Sequence, residues 1–295
     1  QALLQDGLAH EAADPRAPRT IEARPVPRPL PSGAQLPVLQ LSASAYEDLR
    51  RCPYRFFGLR QLGLQEAEEI DTALDKRDFG NWLHEILRTF HEALRDAPTD
   101  TPEQRRALME QARQQVTQAQ QLPEGEFLPF AASWPLLRDG YLQALAQFEQ
   151  KQGARFEAAE TDHQVPLGAV RLHGRIDRID RLPGGLRMVM DYKTENLQKT
   201  DARIKQPFED TQLAFYAALL HDDELRAAYV NVGERGETRF KEQPLVLQAR
   251  DALVHGILDD LRRIGEGAPL PALGEGAVCD HCAARGLCRK DSWTV

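Results

Sequence analysis

The sequence predicts an α/β protein with a central mixed β-sheet flanked by helices and a helical insertion ahead of the strands. Three observations lead to this. Residues 78–94, DFGNWLHEILRTFHEAL, carry apolar side chains at 79, 82, 83, 86, 87, 90 and 94, the spacing of one helical face. The period then drops to two in FEAAETDHQVPL, VRLHGRIDRID and LRMVMDYKT, with LPGG as a hairpin turn between the last two. Helical and strand patterns alternate again toward the C-terminus without internal repeat, so the elements should gather around one sheet.

The elements follow in order. Proline recurs through PRAPRTIEARPVPRPLPSGAQLP, which excludes helix and central strand, so residues 1–40 read as a proline-rich arm or linker and 41–295 as the folded domain. LSASAYEDLRRCPYRFF opens a helix, with Ser42 or Ser44 as cap and acids in the first turn. The insertion, 95–155, holds a polar helix over 101–121 with a weak apolar edge and an amphipathic one over 134–152. After the three strands, DTQLAFYAALLHDD (210–223) is helical and AAYVNVGERGETRFKE forms a strand pair across a glycine-containing turn. A last helix covers 247–264, apolar at 247, 253, 254, 257, 258, 261 and 264.

The bulk composition is that of an ordinary globular chain: 295 residues, 42% hydrophobic and 28% charged. No apolar run approaches the roughly 20 residues that cross a bilayer, and no basic-then-apolar leader is visible, so no membrane partner and a cytoplasmic location are expected. The first residue, Gln1, suggests a piece of a longer protein. The net charge of −8 argues against a broad DNA-coating surface. Local contrast is strong, however: Arg171 to Lys205 holds nine Lys or Arg against five acids, and RRCPYRFFGLR holds four arginines and no acid.

In LRMVMDYKT, alternate strand residues share a face, so Asp191 and Lys193 point one way and Tyr192 the other. Asp177 lies on the preceding strand of the hairpin, within reach of Asp191. Two carboxylates brought together repel unless a cation neutralises them, and Mg²⁺ does so with oxygen ligands. A lysine beside them can orient or deprotonate a water, and a bound metal lowers that water's pKa, which suits phosphodiester hydrolysis. The same spacing fits a solvated strand with Asp–Arg ladders through Arg175, Arg178 and Arg181; the companions of the D-x-K pattern decide between the two. Asp180 lies three residues from Asp177 and is expected on the opposite face.

GRIDRID followed by VMDYKT resembles the RecB-like branch of the PD-(D/E)XK nuclease superfamily, where a GxxD strand, a turn and a D-x-K strand follow one another. FGNWLHEIL resembles the helix carrying that branch's upstream histidine, here His84, with His91 a decoy two turns on. TQLAFYAALL resembles its Q-x-x-x-Y helix, here Gln212 and Tyr216, one turn apart on a shared face. The resemblance covers about residues 41–290 and implies the PD-(D/E)XK core. It further implies that Asp177, Asp191 and His84 bind Mg²⁺ or Mn²⁺, with the Tyr192 carbonyl completing the shell. Lys193 then positions the attacking water, and Gln212 and Tyr216 hold the lysine, the strand end or the DNA phosphate. Glu160 is a looser match, held in reserve.

Four cysteines are present. Cys279, Cys282 and Cys288 crowd CDHCAARGLC near one end, and Cys52 lies near the other. Without an export signal, metal binding is favoured over a disulfide framework. Zinc and iron–sulfur clusters both accept four thiolates. The one-plus-three split resembles the iron–sulfur variant of these nucleases, found in AddB-type helicase–nuclease proteins and in CRISPR-adaptation nucleases. It implies a [4Fe–4S] cluster over zinc, joining the N- and C-terminal segments and holding PYRFFGLR where it could touch DNA. The resemblance therefore implies a metal-dependent DNA exonuclease acting on single-stranded ends within a helicase–nuclease repair system, with a helicase partner or parent chain. The alternatives are a non-catalytic DNA-end-binding module and a stand-alone CRISPR-adaptation nuclease.

Overall fold

The computed structural model describes residues 24–65, 76–99, 101–122, 124–233 and 235–293; the first half of the proline-rich arm lies outside them. Six strands form one mixed sheet. They are β1 (Gln40–Leu41), β2 (Arg155–Leu167), β3 (Val170–Arg181), β4 (Arg187–Lys193), β5 (Leu225–Val232) and β6 (Thr238–Glu242). β2 lies antiparallel along one edge of β3 for its whole length. The other edge of β3 takes β1 in parallel at Arg171–Leu172 and β4 antiparallel at Arg178–Arg181. β5 then adds parallel to β4 and β6 antiparallel to β5.

The β3–β4 connection turns at Pro183–Gly185, where Gly184 and Gly185 have φ of 80° and 87°, a backbone conformation only glycine adopts cheaply. The crossover from β4 to β5 carries two helices, α6 (Leu197–Lys205) and α7 (Gln212–Leu220). The earlier helices are α1 (Ala43–Arg51), α2 (Pro53–Phe56), α3 (Lys76–Asp96), α4 (Pro102–Ala119) and α5 (Glu124–Gln152); α8 (Val246–Gly265) and α9 (Arg285–Cys288) follow β6. Among the described residues no helix is long and apolar enough to cross a membrane.

Each sheet face has its own core. On one side α1, α7 and α8 pack through Leu49, Phe215 and Ile257 against Ile179 and Val189. On the other, α3, α4 and α5 pack through Trp82, Met109 and Tyr141 against Met188, Met190 and Val230. The periodic positions 79, 82, 83, 86, 87 and 90 of α3 are buried, as their spacing predicts.

Several local expectations change. Ser42, not Ser44, caps α1, accepting from Ala45 N, and no acid sits in the first turn. The helix that opens there stops at Cys52, whose backbone is extended ahead of Pro53, and α2 takes up the chain from that proline. The expected helix at 134–152 starts ten residues earlier, and it continues across Pro135, where Trp134, Leu137, Tyr141 and Leu145 give it a continuous buried face. Helix α6 lies in a polar stretch with little apolar periodicity, and the sequence pattern does not predict it; Asn196 caps it by accepting from Gln198 N.

Candidate functional site

The site forms where β3 and β4 part. Their ladder ends at the pair Arg178–Met190, so Asp177 and Asp191 lie just past the last paired residues. The Asp177 carboxylate fills the gap: its Oδ2 accepts from Tyr192 N at 2.9 Å. The alternation of β3 also shifts phase here. Ile176 and Ile179, three apart, both join the α7 side of the sheet, whereas Arg178 and Asp180 pack on the α3 side. Opposite Asp177, Glu160 on β2 has φ of 49°, a left-handed conformation rare for a residue with a side chain. The two irregularities bring Glu160 and Asp177 to the same place.

His84, on α3, completes that place from above. Its Nδ1 stands 3.4 Å from Glu160 Oε1 and 3.5 Å from Asp177 Oδ2. Its ring meets the Tyr192 ring edge-on at 5.5 Å. One ligand atom from each of His84, Glu160 and Asp177 lies within 4.8 Å of the others, close enough for one cation. The Asp191 carboxylate adjoins them: Tyr216 Oη lies 3.0 Å from Asp177 Oδ1 and 3.3 Å from Asp191 Oδ1, so one hydroxyl proton bridges two acids. Gln212 Nε2 donates to that hydroxyl at 3.1 Å. Lys193 Nζ stands 2.7 Å from Asp191 Oδ2. The ammonium also lies over the Tyr229 ring, 5.3 Å from its centroid, and Tyr229 in turn donates its hydroxyl to Asp210.

The electrostatics are those of crowded acids. Burial, followed by the charge of Asp191, pushes the Asp177 carboxyl up to about 7, against the opposing pull of His84 and the Tyr192 N–H. Burial draws the His84 imidazolium down, but Glu160, Asp177 and Asp191 outweigh it and lift its pKa to about 9. Burial likewise opposes the Lys193 ammonium, and Asp191 overrides it, leaving the pKa raised. Burial and the two aspartates hold Tyr216 far above the usual phenol range, so it remains a donor. Glu160 Oε1 is buried yet accepts no hydrogen bond. Three carboxylates, Glu160, Asp177 and Asp191, thus crowd one place against two cationic side chains, His84 and Lys193, with one acid pushed toward neutrality, and such an oxygen-rich set fits a hard divalent cation.

The residues expected at the site therefore gather: His84, Asp177, Asp191, Lys193, Gln212 and Tyr216 share one locus, and Glu160 joins them. The signal for Glu160 lies in its place on the strand before Asp177; its left-handed backbone has no trace in a period-two pattern. Asp180 faces away and pairs with Arg178 at 2.6 Å. His91 also turns away, its Nε2 2.6 Å from Tyr141 Oη.

All four cysteines line a second cavity with Tyr54, Arg55, Gly274, Arg285 and Lys290. None of the four is joined to another by a disulfide. Burial, then the neighbouring Cys52, Cys282 and Cys279, push the Cys288 thiol up. In PYRFFGLR, Phe56 is core and the arginines are already engaged: Arg55 and Arg60 pair with the buried Asp48 at 2.7 and 2.8 Å. That stretch has less free positive charge than its sequence suggests.

The chain is similar to several known proteins. Two curated relatives are ATP-dependent helicase/deoxyribonuclease subunits from Streptococcus equi subsp. zooepidemicus, strains H70 and MGCS10565, 32% identical over 189 and 192 residues. The match takes in 63% of this chain but spans only 16% of the length of those relatives. Among solved structures, a putative exonuclease from Eubacterium rectale aligns over 82% of this chain and 87% of its own, at 13% identity and a TM-score of 0.42. Residues 40–289, from β1 to the cysteine tail, match the PD-(D/E)XK nuclease superfamily, and the chain belongs to that superfamily.

Proposed function

We propose that this chain is the metal-dependent deoxyribonuclease domain of a longer helicase–nuclease protein of DNA repair and recombination, cutting single-stranded DNA from its ends. One observation carries the reading: His84, Glu160, Asp177, Asp191 and Lys193 converge where β3 and β4 separate, with the Asp177 carboxyl pushed up by burial and by Asp191. The similarity to the streptococcal helicase/deoxyribonuclease proteins supports DNA as substrate and a helicase partner or parent chain.

His84, Glu160, Asp177 and Asp191 would hold Mg²⁺ or Mn²⁺. Such an ion, when bound, offsets phosphate charge and lowers the pKa of water. The rest is the work of side chains. Lys193, charged and held by Asp191, fixes the attacking water in line with the scissile phosphorus, and the product end keeps a 5′-phosphate. Tyr216, oriented by Gln212, ties Asp177 to Asp191 so that neither swings away as DNA binds. The intact acids and lysine weigh against a non-catalytic end-binding module.

The test is cleavage of end-labelled single-stranded DNA with Mg²⁺ or Mn²⁺. Asp191→Ala and Lys193→Ala should each lose at least about 100-fold in rate. Equal activity in these two proteins and the wild type defeats the proposal.

The cysteines support a second element of this reading, a structural [4Fe–4S] cluster on Cys52, Cys279, Cys282 and Cys288. Ligands from opposite ends of the chain line one cavity, and four thiolates suit such a cluster. A brown anaerobic preparation absorbing in the visible supports it; stoichiometric zinc without iron rejects it.

A further inference from the structure

On the α3 side of the sheet, beside the carboxylates, lies a polar chain that the proposed chemistry does not use. Arg178 and Asp180 are completely buried, joined by two hydrogen bonds of 2.7 and 2.6 Å. The remaining guanidinium nitrogen, Nη1, donates to His91 Nε2 at 2.9 Å and to Tyr141 Oη at 3.0 Å. Tyr141 Oη lies 2.6 Å from His91 Nε2 and 3.1 Å from Tyr192 Oη.

The donor roles follow from chemistry. Arginine only donates, so His91 Nε2 accepts and the ring proton sits on Nδ1. With Nε2 unprotonated, the 2.6 Å contact takes the Tyr141 proton to His91, whose one lone pair is shared between Tyr141 and Arg178, and Tyr192 donates to Tyr141. The chain therefore runs in one direction, from Tyr192 through Tyr141 to His91, with Arg178 fixing both acceptors.

This arrangement is costly. An arginine is taken fully out of water, and His91 Nδ1 is buried with no partner. Replacing such a cluster with apolar residues is often neutral or stabilising, so stability alone is a poor account of it. Its placement suggests another. Arg178 follows Asp177 in β3, Tyr192 follows Asp191 in β4, and His91 lies two turns beyond His84 on α3. Each aspartate is thus followed in its strand by a residue of this polar chain, and His84 shares its helix with another. Tyr192 belongs to both groups: its N–H holds Asp177 and its ring edges His84, while its hydroxyl closes the chain.

We infer that Arg178, Asp180, His91, Tyr141 and the Tyr192 hydroxyl form a positioning relay, locking β3, β4, α3 and α5 together so that His84 and the carboxylates stand at the spacing one divalent cation needs. The inference rests on the nuclease reading and deepens it, since it concerns the metal affinity of the same site. Outer partners of metal ligands act in this way, and losing one typically weakens metal binding by about 10- to 100-fold.

The experiment compares wild type, Tyr141→Phe, His91→Leu and His91→Gln in the full chain. Mn²⁺ affinity is measured by calorimetry, Tm without metal, and single-stranded DNA cleavage across a Mn²⁺ titration. Tyr141→Phe and His91→Leu should keep Tm within a few degrees while Mn²⁺ affinity falls about 10-fold. Cleavage should fall likewise at low Mn²⁺ and recover at high Mn²⁺. His91→Gln, whose amide oxygen can accept from Arg178, should recover much of the affinity. Unchanged Mn²⁺ affinity in both variants overturns the relay. So does an affinity loss that only accompanies a large fall in Tm in both, which describes a brace for the fold. A wild type that binds Mn²⁺ but cleaves no DNA removes the nuclease reading, and the affinities still decide the relay. A wild type that binds no Mn²⁺ overturns both.

Discussion

Asp177 is the residue whose surroundings make the strongest demand. Its carboxyl keeps a proton up to about pH 7 in the fold, against an ordinary value of 3.8. The native state therefore binds more protons than the unfolded chain between those values, and stability falls as pH rises through the interval. His84 acts in the same direction over a higher range: its contribution is complete below 6.5 and is lost as pH climbs through about 9. Without metal, Tm should fall from pH 5 to pH 9. Asp177→Asn should flatten that fall and stabilise the metal-free protein at pH 8 by a few degrees, since it removes the crowded charge. Added Mg²⁺ should raise the wild-type Tm at pH 8 and leave the variant nearly unmoved; thermal unfolding in chelator and in Mg²⁺ reads both. Tyr229 offers a second residue-scale test. Its ring lies under the Lys193 ammonium, so Tyr229→Phe should keep most of the cleavage rate, while Tyr229→Leu should lose about 5-fold or more at saturating metal. Equal rates in the two variants would show that the ring face does not matter to the lysine.

At the scale of elements, the hairpin β3–β4 was legible because alternation is a direct consequence of strand geometry. Asp191 and Lys193 had to share a face, and LPGG had to turn. The amphipathic α3 was legible for the same reason, and with it His84. What alternation could not reveal is where it breaks. The phase shift between Ile176 and Ile179 and the left-handed Glu160 depend on the long-range pairing of β2 with β3, which leaves no local pattern. The choice between His84 and His91 likewise turns on packing: both are histidines of one helix, and only the sheet beneath tells which meets carboxylates and which meets Arg178. Helix α5 supplies a prediction at this scale. A Cβ at Gly140 would fall 1.9 Å from the carbonyl oxygen of Gly236 in the β5–β6 turn, a collision with backbone that cannot rotate away. Gly140→Ala should therefore push α5 off the hairpin and cost about 1–3 kcal/mol, read by denaturant unfolding.

For the molecule as a whole, the open question is what holds its two ends together. The arm and the C-terminal tail already lie side by side: Val26 N donates to Ser292 O at 2.7 Å, Leu270 N to Pro31 O at 2.8 Å and Ala272 N to Pro29 O at 3.0 Å. Arg28 stacks over the Trp293 ring at 5.5 Å. The stretch that carries Cys279, Cys282 and Cys288 has short helical turns and half-exposed side chains, with little apolar core of its own. Joining Cys52 to it closes a loop of more than two hundred residues, an entropic cost of about 5 kcal/mol that thiolate–metal bonds can offset. The proposed cluster and the docked arm should therefore fail separately. Cys52→Ser should free residues 276–290 for proteolysis and lower Tm by several degrees, while the arm keeps Pro269–Ala272 docked and the β3–β4 site keeps its Mn²⁺ affinity. Arg28→Ala should leave the cysteine segment protected and loosen the end near Trp293 together with the Ala272–Leu273 backbone to which Arg28 also donates. Limited proteolysis with mass mapping of the fragments separates the two cases, and a Cys52→Ser protein that resists cleavage as the wild type does would mean that the tail is held by packing alone.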